Sequence, residues 1–191
     1  MAVRKPVGVP LGDHIARVAG ELFYREGIHL VGVDRVAAEA DVTKRTLYRY
    51  FRSKDDLVAA ALRRAPRISF PREGGAAERI AGAFGMMIEF VRRNAYRGCP
   101  YIIASAELSD PRHPARAVVR ELAEKRRAWF RDRAAEAGAS DPELLAEQLD
   151  VLFDGGLASA TKRGESAPAE AALVAAEALL AQSRARLPVS A

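Results

Sequence analysis

The sequence predicts an all-α fold of about nine helices: an N-terminal three-helix head containing a helix-turn-helix, followed by a larger helical body. Apolar residues recur at three- and four-residue spacing through most of the chain, and no strand-like alternation of useful length occurs. Helix breakers gather in one place, Pro66, Pro71, Gly74 and Gly75, and cap-forming residues precede several of the apolar stripes. The expected organisation is a head over 1–64, a connection over 65–75 and a body over 76–191.

In chain order, Leu11, Ile15, Val18, Ala19, Leu22 and Phe23 form one stripe of an amphipathic helix that Gly27 ends. Val33, Val36, Ala37 and Ala40 make a second, shorter face. Asp41 occupies the turn that follows, where a left-handed backbone is expected and Asp tolerates it. A third helix begins at Thr43, whose hydroxyl can cap the next turn; it carries Leu47 inward and ends near Phe51. Ser53 and Asp56 read as a capping box opening a fourth helix, with Leu57, Ala60, Ala61 and Leu62 inward.

In the body, Ile80, Phe84, Met87, Ile88 and Val91 mark one helix, and Tyr101 to Leu108 a short one closed by Asp110-Pro111. A long helix is expected from about Ala115 to Ala137. Asp141-Pro142, a cap with proline at the first helical position, starts the next, which continues through Leu145, Leu149, Leu152, Phe153 and Leu157. A last helix, rich in Ala and Leu, is expected from about Ala169 to Leu187.

With 191 residues, 49% of them hydrophobic, the chain can bury a sizeable core. The net charge is +5, and residues 1–64 hold 12 Lys and Arg against 8 Asp and Glu, so the first third is the basic part. Lys44, Arg45, Arg49, Arg52 and Lys54 follow one another with no acid between them, which concentrates positive potential and favours an anionic partner. The lone Cys99 excludes an intramolecular disulfide and a thiolate zinc cluster. No apolar run approaches the ~18 residues of a membrane span, and a cytoplasmic protein without membrane contact is expected.

An enzyme is not expected. His14, His29 and His113 are scattered, and there is no glycine-rich phosphate loop, nucleophile elbow or metal-spaced ligand set, so no catalytic residue, cofactor or metal is predicted. Two short helices joined by a tight turn, the second opening with small and basic residues, do suit the DNA major groove. Val36, Ala37 and Leu47 would hold the pair together, leaving the polar side chains between Thr43 and Tyr48 free.

The pattern Thr46, Leu47, Tyr48, Tyr50, Phe51, Ser53 and Lys54, within T-L-Y-x-[YH]-F-x-[SN]-K, is specific. Over Asp13 to about Leu62 the chain resembles the DNA-binding domain of the tetracycline-repressor (TetR) family. The resemblance implies that Thr43, Lys44, Arg45, Thr46, Tyr48 and Tyr50 lie in or beside the major groove of double-stranded DNA, with Lys54 at a phosphate. Gly32, Val33 and Asp34 open the second helix, where such proteins touch the backbone; here Gly32 lacks the usual hydroxyl and Asp34 is acidic. Lys44 and Arg45 are the first candidates for base contact, and Tyr50 is either a contact or a core ring.

The resemblance further implies a homodimer, formed through about 141–162 and 169–187, on a palindromic operator. It implies a repressor released by a small effector bound in the body. The small residues Gly155, Gly156, Ala158, Ala160, Ala171, Ala172, Ala175 and Ala176 would allow close helix approach, either between copies or inside one. Candidate pocket residues are Phe84, Met87, Phe90, Cys99, Tyr101, Ile102, Trp129, Phe130 and Phe153, suited to an apolar molecule. Glu107 and His113 are candidates to orient it. Cys99 is also a candidate oxidant sensor.

Overall fold

The computed structural model describes residues 8–93 and 96–185; the expected end of the last helix at Leu187 lies outside them. Among the described residues all regular structure is helical: α1 (Leu11–Glu26), α2 (Val33–Glu39), α3 (Lys44–Tyr50), α4 (Lys54–Arg63), α5 (Ala76–Val91), α6 (Pro100–Glu107), α7 (Pro114–Glu136), α8 (Pro142–Arg163) and α9 (Ala167–Ala185). The all-α expectation holds, and the local signals set the boundaries.

The Thr43 hydroxyl accepts the Thr46 amide at 3.1 Å, Ser53 accepts the Asp56 amide at 3.0 Å and Asp141 accepts the Leu144 amide at 3.0 Å, each satisfying a donor that its helix leaves open. Asp41 has φ 54°, the left-handed conformation expected of the turn between α2 and α3. Helix α9 starts at Ala167, two residues earlier than expected, with Pro168 inside its first turn, because a missing amide costs nothing there. Ala60 is only half-buried, and Val58 and Ala59 take inner positions of α4 alongside Leu57, Ala61 and Leu62.

The chain divides into two compact units that are interleaved in sequence, where the sequence had suggested one boundary at 65–75. Unit 1 is Met1–Pro66 with Pro100–Glu121, and unit 2 is Arg67–Cys99 with Leu122–Ala191. Residues 100–121 thus pack with the head, and α7 contributes to both units.

In unit 1, α1 packs against α2, α3 and α4, burying Ile15, Val18, Leu22, Val36, Leu47 and Leu57. His14 is wholly buried and both its ring nitrogens are engaged. Nε2 lies 3.2 Å from the Ala40 carbonyl, to which it can only donate, which leaves Nδ1 to accept from Arg17 at 3.4 Å. That histidine therefore ties α1 to the residue that ends α2.

In unit 2, α5, α8 and α9 pack together. Phe84, Trp129, Phe130 and Phe153 form a cluster with Phe70, whose ring centroid is 4.6 Å from Trp129 and 5.8 Å from Phe153. The stretch read from sequence as a connection therefore supplies a ring to the core. Arg126 stacks 5.1 Å from the Phe153 centroid and pairs with Asp150 at 2.5 Å and Asp154 at 2.9 Å. Burial opposes the charge on Arg126, yet these two carboxylates more than offset it and hold the guanidinium above its ordinary value.

Candidate nucleic-acid interface

The site is built on α2, the left-handed turn at Asp41 and α3. Val36 and Leu47 are completely buried and Ala37 nearly so, which fixes the two short helices against α1 and turns the other side of α3 outward. On that outward side Thr43, Lys44, Arg45, Tyr48 and Tyr50 are exposed, with Arg49 and Arg52 beside them; Thr46 is half-buried and shares its hydroxyl with Thr43 at 2.9 Å. The ring of Tyr50 stays about half exposed while lying against Gly12, where a β carbon would come within 2.9 Å of it.

Val33 is half-buried at the first position of α2, and Lys54 is half-buried at the start of α4, its Nζ donating to the His29 carbonyl at 3.5 Å. The two leading base-contact candidates differ. The Lys44 ammonium donates to Asp34 across the two helices at 3.0 Å, and this pairing raises its pKa above the ordinary lysine value; Arg45, among the described residues, has no side-chain partner. An acid on the other helix thus engages one of two adjacent cations, a feature that the run of basic residues did not disclose.

Sequence reasoning also missed what holds the loop before α2. Glu107, at the end of α6, accepts the Ile28 amide at 2.7 Å through its carboxylate, and its carbonyl accepts from His29 Nε2 at 2.7 Å. Arg116 donates to the carbonyls of Ser105 and Leu108, fastening the same end of α6. His113, a largely buried side chain, lies 3.3 Å from Asp55 and accepts the Ala115 amide through Nδ1 at 3.1 Å. Both residues considered as ligand-orienting therefore have partners inside unit 1.

The proposed pocket residues are not all brought together. Phe84, Trp129 and Phe153 share the aromatic cluster of unit 2, with Phe130 joining them. Met87 is buried close to Gly156, whose β carbon would meet Met87 Cε at 3.0 Å. Phe90 instead pairs with Tyr96 at 5.8 Å. Cys99 is half-buried in unit 2; Tyr101 belongs to unit 1, where its hydroxyl donates to the Ala65 carbonyl at 3.3 Å, and Ile102 is half-buried in the same unit.

Two short helices about a left-handed turn, with a packed inner leucine and an exposed basic outer face, define a helix-turn-helix DNA-binding protein. Residues 15–61 match the family model described as bacterial regulatory proteins, tetR family. The chain is 32% identical to a putative TetR transcriptional regulator of known structure from Streptomyces avermitilis, with a TM-score of 0.78 over 88% of this chain and 99% of that one. It is 28% identical to a TetR-family transcriptional regulator from Streptomyces coelicolor, again with a TM-score of 0.78, over 91% and 96% of the two chains. Among curated proteins, the HTH-type transcriptional regulator YjdC of Escherichia coli is 24% identical over 87% of this chain and 91% of its own.

The chain belongs to the TetR family of bacterial transcriptional regulators. No helix among the described residues is long and apolar enough to cross a membrane.

Proposed function

We propose that this regulator acts in the cytoplasm as a homodimeric repressor, holding a palindromic operator through two copies of α3 and leaving it when a small apolar effector binds the body. The outward face of α3 carries the reading: Arg45, Thr46 and Tyr48 stand on one short helix with Thr43 as its cap, and Arg45 has no partner of its own among the described residues. Arg45 is assigned to a base edge, Lys54 and Tyr50 to phosphates, and Val33 to the backbone beside α2.

A dimer is supported by what α8 and α9 leave uncovered. Leu144, Gln148, Val151 and Gly155 are exposed at spacings of four, three and four along α8, and Ala171, Val174 and Ala178 at three and four along α9. Val151 is 63% exposed and Val174 66% exposed, and exposed apolar side chains lined up along a helix mark an interaction surface. The small residues divide between the two faces: Gly156, Ala160, Ala172 and Ala176 pack inside one copy, while Gly155 and Ala171 point out. Isologous pairing of these outward stripes is the common way to cover them, and a palindromic operator asks for two heads on successive major grooves, ~34 Å apart.

The effector is assigned to the aromatic cluster of unit 2, whose rings and Met87 suit an apolar molecule. An effector that favours a head spacing out of step with two successive grooves opposes DNA binding by linkage. Selection of bound duplexes from a random pool, followed by sedimentation of the complex, tests the reading. A two-fold symmetric motif bound by two copies is expected; an asymmetric motif held by one copy overturns the dimer, and an apolar ligand series that never weakens binding overturns release.

A further inference from the structure

Asp34 and Lys44 stand on the two helices that flank the DNA-reading turn, ten residues apart, with the ammonium 3.0 Å from the carboxylate. Both side chains are open to solvent, at 74% and 51% exposure, so the pair lies on the outward side and not in the core. An acid at such a surface repels the phosphate backbone and needs a reason to be there. Its neighbour supplies one.

We propose that Asp34 is a specificity-determining residue: by holding Lys44, it keeps that cation from adding to sequence-independent phosphate binding. The inference rests on the assignment of α3 to the major groove. A lysine ammonium has three donors and Asp34 occupies one of them, so the remaining two can still reach guanine acceptors in a groove that brings them near. A phosphate, by contrast, must compete with Asp34 for the same charge. Neutralisation in place also means that Lys44 displaces fewer counterions on binding random DNA, which lowers the salt dependence of that mode. Arg45, next in sequence, has no such partner among the described residues.

The effect on binding follows from counterion release. Freeing one lysine for one phosphate steepens the dependence of log K on log salt by about 0.9, which is about a threefold larger loss of affinity between about 50 and about 200 mM salt. The experiment is a double-mutant cycle on the full chain, with Asp34→Asn, Lys44→Gln and the double variant, titrated against a random duplex and a duplex recovered by selection.

Asp34→Asn is expected to tighten random-duplex binding at low salt, steepen its salt dependence by about 0.9 and lower the ratio of selected to random affinity. In the Lys44→Gln background the same substitution relieves only the direct repulsion of the backbone and is expected to have a clearly smaller effect. Equal effects of Asp34→Asn with and without Lys44 would show direct repulsion of the backbone and overturn the proposal, as would an unchanged salt dependence. Wild-type protein that binds no duplex would instead refute the assignment of α3. Thermal melts of all three variants check folding, which an exposed pair should hardly disturb.

Discussion

The contact between Glu107 and the Ile28 amide spans 79 residues of sequence, and replacing Glu107 with Ala measures what it contributes. Ile28 is buried and its amide is part-buried, so removal of the carboxylate leaves a donor without its charged acceptor. Hydrogen bonds of this kind contribute ~1.5–3 kcal/mol. At about 1.4 kcal/mol per tenfold, exchange of the Ile28 amide with solvent should quicken by roughly 10- to 150-fold, towards the lower end because the site is partly wet. Glu107→Gln keeps an acceptor oxygen but not the charge, and should lose about half of that free energy.

The change should be local. The Glu107 carbonyl still receives His29 Nε2 whatever the side chain, and Arg116 still holds the carbonyls of Ser105 and Leu108. Hydrogen exchange followed by NMR, with the Leu47 amide as the control, resolves it. An Ile28 amide that exchanges at the wild-type rate in Glu107→Ala, or a head that loosens throughout, refutes the reasoning.

Arg45→Ala should cost ~1–3 kcal/mol at one operator position and relax the preference there, whereas Lys54→Ala should weaken binding to all sequences and reduce the salt dependence by about 0.9, both read by duplex titration. The double variant Val151→Glu with Val174→Glu should sediment as a folded monomer, because it places like charges on both outward stripes; a persisting dimer would move the interface elsewhere. At the left-handed turn, Asp41→Val should lower stability by ~1–2 kcal/mol and the melting temperature by a few degrees, while Asp41→Gly should stay near wild type, since glycine loses the strain but gains unfolded-chain entropy. In unit 2, Asp150→Asn should cost about 1–3 kcal/mol in denaturant unfolding, below the ~3–5 kcal/mol of a fully buried broken pair because Asp154 remains beside Arg126.

The sequence by itself determined the helices and the reading element. Thr43, Ser53 and Asp141 announce helix starts because a capping hydroxyl or carboxylate acts on an amide three residues away, and Asp41 announces the left-handed turn because few side chains tolerate it. The spacing of Val36, Ala37 and Leu47 likewise told inner from outer faces, since helical periodicity is a local property.

What tertiary structure alone decided involves partners on different elements. The ion pair of Asp34 with Lys44 needs the angle between two helices, and the grip of Glu107 on Ile28 needs α6 to return to the head. Phe70 read as connection because proline and glycine surround it, although it fits among Trp129, Phe130 and Phe153. Gly155 and Gly156, adjacent and identical in sequence, are told apart only by the roughly 100° that separates neighbours on a helix. That rotation turns one against Met87 and Ala172 and leaves the other with nothing nearby.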